Sequence, residues 1–243
     1  MRRVRSHPQP RRESCYFPDM THLLAAVLAA SLLSPAVASP DPDAPDGWVL
    51  MEAEAHPEWG QVIARHKPLD GADCLEISGV SAADPELLKA IILDIPGNLQ
   101  WSSAGLALSE VLGPAGDGFD YLQVLKVPPP FSDRYWVLRG TVAEGGEGPG
   151  SWAFHWSRVD AAQTYPERVT AIADAYGQAV EIGVNVGSWA LLPEGDATRA
   201  RFRSCTNIGG GIPEWAGEKA ARLLLPNNLR DLFAEAQRRS QGG

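Results

Sequence analysis

The chain has 243 residues, of which 44% are hydrophobic, a composition that suits a folded domain and excludes a disordered chain. Its formal net charge is −9; the first 38 residues hold five arginines against Glu13 and Asp19, so the remainder carries −12. That acidic balance argues against nucleic acid, and against a broadly anionic membrane surface, as the main partner.

The first predicted element is a leader. "LLAAVLAASLL" at 23–33 is followed by Pro35 and by an A-x-A triplet at Ala36–Ala38, so residues 1–38 are expected to be a secretory signal cleaved before Ser39. The apolar run is shorter than the ~20 residues that cross a bilayer. A buried core helix is the alternative, but Pro35 and the polar stretch beyond it suit cleavage better. The arginines before Met20 are either a long basic n-region or a sign that translation starts at Met20; Arg11-Arg12 alone is a weak twin-arginine signal. "SPDPDAPD" at 39–46 alternates proline with acid and reads as a disordered spacer, which leaves one domain over 47–240. Cys15 falls in the leader. Cys74 and Cys205 remain, and two free, buried thiols are favoured over a bridge.

Strands are predicted at 48–55 and 60–69, with Asp70-Gly71 turning the chain into a third at 74–80. Asp84 as N-cap and Pro85 at the first helical position open a helix, and Leu87, Leu88, Ile91, Ile92 and Ile95 recur at its period. Further strands are predicted at 106–112, 119–127, 134–143, 151–158, 167–175, 179–192 and 197–205. "GPAGDG", "EGGEGPG" and "PEGD" punctuate them, and such short turns imply an antiparallel meander. The last element, a helix from Pro213, aligns Ala216, Ala220, Leu223, Leu229, Leu232, Phe233 and Ala236, with Pro226 expected to kink or break it.

The usual catalytic signatures are missing: no H-E-x-x-H, C-x-x-C, G-x-S-x-G or Walker lysine. His56, His66 and His155 are scattered, so neither a metal nor a cofactor is expected. Gly209, Gly210 and Gly211 precede a helix, as glycines do where a phosphate is cradled. Here they are contiguous, no strand follows, and Glu214 and Glu218 in the first turns would repel phosphate. They read instead as a strand-to-helix hinge leading through Ile212 to Pro213.

Eight tryptophans are the positive signal. "SWAFHWSR" sets Trp152, Phe154 and Trp156 on one face of a strand. Small residues alternate in "VTAIADAY" (Val169, Ala171, Ala173, Ala175), and Gly183 and Gly187 flank Asn185 near Glu181. Small positions facing large rings either complete a packed core or leave room for a ligand. Arg199, Arg201 and Arg203 alternate with Ala200, Phe202 and Ser204, as on a solvated outer face.

Three stretches carry a family likeness: "LLKAIILDIPGNLQW" (87–101), "DYLQVLKVPPPFSDRYWVLRG" (120–140) and "GSWALLPEGDATRARFRSCTNIGGGIPEW" (187–215). In this order they resemble START lipid-binding domains over nearly all of Gly47–Arg239. The resemblance implies an α+β helix-grip fold, a long curved antiparallel sheet wrapped around a C-terminal helix, enclosing a tunnel for one lipid or other hydrophobic small molecule. The tunnel wall is expected to include Trp136, Arg139, Trp152, Phe154, Trp156, Ala171, Ala173, Asn185, Trp189, Phe202 and Trp215. Pro128, Pro129, Pro130, Gly209, Gly210, Gly211 and Pro213 are expected to gate it. Some family members hold an arginine and an acid inside; Arg134 or Arg139 with Glu181 or Asp120 would play that part. Strand parity lets only one arginine point inward, and a structural bond to Asp133 or to the loop backbone is the other reading of Arg134. A monomer making transient membrane contact follows from the same likeness. Two alternatives stand: an enzyme resembling polyketide cyclases and hydrolases, using Glu181 or His155 in the cavity, or an interaction domain packed solid. An internal void of several hundred Å³ separates the last from the others.

Overall fold

The computed structural model describes residues 47–69, 71–209, 211–212 and 214–242, the side chains of 214–224 excepted. The expected leader (1–38) and spacer (39–46), together with Asp70, Gly210, Pro213 and the side chain of Trp215, lie outside the described residues.

Ten strands form one sheet: β1 (Val49–His56), β2 (Gly60–Leu69), β3 (Ala72–Ser81), β4 (Leu106–Ala115), β5 (Gly118–Leu125), β6 (Arg134–Glu144), β7 (Trp152–Val159), β8 (Val180–Glu181), β9 (Val184–Glu194) and β10 (Ala197–Asn207). Their spatial order is β1-β2-β3-β10-β9-β7-β6-β5-β4, antiparallel throughout, with the two-residue β8 pairing parallel to β6. The meander of short turns predicts most of these neighbours. The β3–β10 pairing, which joins the first hairpin to the last, is the long-range contact that closes the order.

Helix α1 (Pro85–Leu93) begins where the sequence signals it: the Asp84 carboxylate accepts from the Glu86 N–H at 2.9 Å, and Leu88, Ile91 and Ile92 are buried. A single turn, α2 (Asn98–Trp101), follows. The C-terminal helix α5 (Glu214–Gln241) packs on β3 and β10 and against α1 and α2, with Leu225, Leu229, Leu232, Phe233 and Ala236 buried. It continues through Pro226, so the expected break is absent. The proline costs one backbone bond, while each large apolar side chain buried beyond it contributes about 1.5–3 kcal/mol. The expected α+β helix-grip arrangement is present.

Two elements correct the sequence reading. Residues 167–175 are not a strand. They belong to α4 (Pro166–Tyr176), which follows a single-turn α3 (Ala161–Thr164) whose N-cap, Asp160, accepts from the Gln163 N–H. Pro166 occupies the first turn of α4, and Val169, Ile172 and Tyr176 recur at helical spacing toward the sheet, while Ala171, Ala173 and Ala175 are exposed. The predicted strand at 179–192 is two strands, separated at Ile182-Gly183.

A third correction concerns the cysteines. Cys74 and Cys205 are joined by a disulfide rather than held as free thiols. They are direct cross-strand partners on β3 and β10, and both are fully buried.

Candidate functional site

The sheet buries a different core on each side. On the concave side, α1 and α5 pack over Leu75, Ile77, Tyr121, Leu138, Phe154, Trp156, Trp189 and Ala200. On the convex side, α3 and α4 cover a smaller cluster of Leu122, Val124, Tyr135, Val137, Ala161 and Ile172. The alternation in β5 shows how one strand feeds both: Tyr121, Gln123 and Leu125 face one way, Asp120, Leu122 and Val124 the other.

The concave core is not filled. It surrounds a cavity of about 680 Å³, so the solid-packed alternative does not describe this interior. Aromatic rings form a continuous run through its wall: Tyr121 to Phe154 at 6.3 Å between ring centres, Phe154 to Trp156 at 6.2 Å, Trp156 to Phe202 at 5.7 Å and Phe202 to Trp189 at 4.9 Å. Two glycines make that run possible. A Cβ at Gly187 would collide with the Trp156 ring, and one at Gly140 with the Phe154 ring, so the rings lie against bare backbone. The small position at Gly187 therefore completes the packing. Gly71, Ala104, Asn207 and Gly209 are exposed and line the cavity, which opens between them.

Of the residues expected on the wall, Trp136, Phe154, Trp156, Asn185, Trp189 and Phe202 are brought together there. Trp152 is buried in the same core but does not reach the cavity. Ala171 and Ala173 are exposed on α4 and are corrected to the outside of the sheet; their alternation satisfies a strand pattern, but Pro166 and Ile172 set a helix. Tyr121, Gln123, Leu138, Ile92, Ile95 and Trp101 also line the cavity and were not expected. Parity from Trp136 points to Leu138, and parity within β5 points to Tyr121 and Gln123.

The anticipated charged pair exists but not inside. Arg139 donates to both carboxylate oxygens of Asp120, at 2.8 and 2.9 Å, and the Tyr165 hydroxyl donates to the same carboxylate at 2.8 Å. The pair lies on the convex side, with Asp120 fully buried and the Arg139 side chain 42% exposed. Burial alone would raise the Asp120 pKa; the bonds from Arg139 and Tyr165 outweigh it and hold the carboxyl below its usual range. Glu181 accepts from Arg158 at 2.6 Å, away from the cavity, and His155 borders a shallow depression beside Arg139, Thr141 and Ser157 on the outer face. Neither group that the enzyme alternative would use is brought to the cavity.

Arg134 has the structural role. Fully buried, it donates to the carbonyls of Ile208 at 2.9 Å and Gly209 at 3.0 Å and to Ser132 O, tying the β5–β6 loop to the glycine segment. Pro128, Pro129 and Pro130, expected in the gate, do not line the cavity themselves; residues 71–73, Ser102, Ala104 and residues 206–209 line it near the opening. Gly209 and Gly211 have positive φ, +56° and +76°, as a tight strand-to-helix passage requires. Among the described residues, no His, Cys, Asp and Glu side chains cluster so as to hold a metal ion.

Solved structures share this architecture over most of the chain. Human STARD10 aligns with a TM-score of 0.66 at 14% identity, over 95% of this chain and 84% of its own. Human StAR-related lipid transfer protein 5 aligns at 0.63 and 13%, over 91% and 99%. A STAR-related lipid transfer protein fragment from Xanthomonas axonopodis aligns at 0.62 and 21%, over 79% and 99%. The chain has the START helix-grip fold. No family model matches the chain, and no curated protein does. Within this START fold the cavity lies between sheet and C-terminal helix, bounded by Leu225 and Asn228 of α5.

Proposed function

We propose that the domain binds a single hydrophobic small molecule, a lipid or a compound of similar character, in the cavity beneath α5, and carries it within the cell envelope. The observation that carries this reading is the cavity of about 680 Å³ walled by Tyr121, Trp136, Phe154, Trp156, Trp189 and Phe202. A concave apolar site with a few polar groups stabilises a ligand by removing its surface from water. That three structures of similar fold include two named as lipid transfer proteins supports the same reading. Loading requires the opening between Gly71, Ala104, Asn207 and Gly209 to widen, and brief contact with a membrane supplies an apolar ligand without passage through water.

Export belongs to the proposal. The apolar run and A-x-A triplet before Ser39 support it, and so does the Cys74–Cys205 disulfide, since such bonds persist in oxidising compartments.

The test is native mass spectrometry of the exported protein, followed by solvent extraction. A hydrophobic molecule released in stoichiometric amount is the expected result. A protein that emerges empty and takes up nothing from a broad lipid panel would overturn the reading.

A further inference from the structure

Five amide side chains line the cavity, and in four of them, Asn98, Gln123, Asn207 and Asn228, the amide nitrogen donates to a protein acceptor; in Asn185 it does not. Gln123 is closed: its Oε1 accepts from Trp136 Nε1 at 3.0 Å, its Nε2 donates to Ser109 Oγ at 3.0 Å, and Ser109 donates to Ile95 O at 2.6 Å. That relay is a wall. Asn185 is open. Trp156 Nε1 donates to Asn185 Oδ1 at 3.0 Å, and because an indole N–H can only donate, this bond fixes which end of the amide faces the tryptophan. Asn185 is only 8% exposed, yet its Nδ2 meets no acceptor among the described residues. Two N–H donors on the cavity wall are thus left to whatever occupies the cavity rather than to a described protein acceptor. Thr206 stands directly across from Asn185 on β10, and its hydroxyl pairs with that of Ser204 at 3.0 Å, which extends a polar strip along an otherwise aromatic wall.

We propose that the cavity selects an uncharged ligand bearing a hydrogen-bond acceptor, such as a carbonyl, ester, ether or hydroxyl oxygen, and that Asn185 is the residue that reads it. This rests on the ligand-binding reading above and specifies its chemistry. The charge distribution gives the second half of the argument. Among the described residues, Asp73 is the one charged side chain on the cavity wall, and it is engaged with His66 at 3.0 Å beside the exposed Gly71. Tyr121 stays a neutral phenol, its pKa pushed up by complete burial. The arginines that would neutralise an acid are elsewhere: Arg139 holds Asp120 on the convex side, and Arg134 is bound to loop carbonyls. Against the described residues of the wall a carboxylate or phosphate would lose its water and meet no cation, and that desolvation exceeds what hydrogen bonds from one amide return.

Three probes with one four-ring body test this: 1-butylpyrene without a polar end, methyl 4-(1-pyrenyl)butanoate with a neutral acceptor, and 4-(1-pyrenyl)butanoate with a charge. Binding is read by energy transfer from the wall tryptophans to pyrene, and each probe is compared between proteins so that its own solvation cancels. The wild type should bind the ester and exclude the anion. Asn185→Leu should weaken the ester roughly tenfold, the equivalent of one lost hydrogen bond, and leave 1-butylpyrene unchanged or tighter. Because the single variant orphans the Trp156 N–H, Asn185→Leu/Trp156→Phe removes both partners and should show the same fall in the ester-to-butylpyrene ratio while remaining folded. An anion bound as tightly as the ester, or a variant that weakens ester and butylpyrene equally, overturns this inference and leaves ligand binding intact. A wild type that binds none of the three overturns the ligand-binding reading itself, and this inference with it.

Discussion

The two faces of the sheet treat polarity in opposite ways. On the concave face the polar groups are amides, hydroxyls and indoles set among rings, and some of their capacity is left open, as at Asn185. On the convex face the buried acids are met by arginine: Asp120 by Arg139, and Glu76 by Arg65 and Arg203. Arg139 and Arg65 keep 42% and 40% of their side chains in water, so those two ion pairs are only partly desolvated and their cost is reduced. A strand must present both faces, and the difference shows where this chain spends its charge. Ion pairs and the disulfide fasten the outside, and among the described residues the inside carries one charged side chain, Asp73, beside the exposed Gly71. If that division holds, substitutions on the convex face should cost stability and spare binding.

The largest expected effect is loss of the Cys74–Cys205 bond, whose partners are 131 residues apart. Replacing both cysteines with alanine should lower the free energy of unfolding by about 4 kcal/mol, since a cross-link that closes so long a loop restricts the unfolded chain strongly. Urea unfolding of the oxidised, reduced and Cys74→Ala/Cys205→Ala forms checks this. Ligand affinity of the folded fraction should not change. Arg134→Ala comes next, at about 3 kcal/mol, because several charge-assisted bonds are lost and the carbonyls of Ile208 and Gly209 are orphaned. Arg134 shares the strand parity of Trp136 and Leu138 but is spent on loop carbonyls, and its loss should break the separation: ligand release should accelerate along with the fall in stability, as the segment at the opening comes loose. Stopped-flow displacement of a bound fluorescent probe measures the rate.

Asp120→Ala should cost about 2 kcal/mol by leaving Arg139 and the buried end of Tyr165 without their acceptor. The loss stays below that of a fully buried pair because water can reach Arg139. Probe affinity should be unaffected. A weakened affinity would mean that the convex pair does shape the cavity, which would undo the comparison.

The legibility of the sequence follows the same division. Most strands and turns and the helices α1 and α5 were readable because alternation, glycine turns and the Asp84-Pro85 start are local signals. Parity correctly put Arg134 and Arg139 on opposite faces, but which face would hold the cavity depends on where α5 lies, and no strand pattern encodes that. The same limit hid the disulfide, since opposing Cys74 to Cys205 needs β10 to return beside β3. In "PERVTAIADAY" two periods compete: alternating alanines favour a strand, while Pro166, Val169 and Ile172 favour a helix. The helix wins because its apolar stripe finds Leu122 and Val137 on the convex face, a partner invisible to local reading.

The smallest expected effect is a pH dependence at the end of α5, where that helix is latched to the end of α1. Glu235, 6% exposed, accepts from Arg238 at 2.6 and 2.7 Å and from Arg239 at 2.7 Å, and Arg239 reaches on to Asp94, just beyond α1, at 2.7 Å. The bond from Arg238 leads in lowering the Glu235 pKa, burial opposes it, and Arg239 adds to it, so the carboxyl drops from 4.5 to about 2. Between those values the unfolded chain binds a proton that the folded chain does not. The stability contributed by this latch is therefore fully present above pH 4.5 and is lost as pH falls toward 2. Asp120 and Asp133 are also lowered, so the whole protein should lose stability in acid, and Glu235→Gln isolates one contribution. The variant should unfold more readily than the wild type at pH 7, and the gap should close as pH falls through that window. A gap that stays constant down to pH 2 would mean that the helix end is held by packing of Phe233 and Ala236 rather than by charge, and the fastening of the molecule by ion pairs would then stop short of the C-terminus.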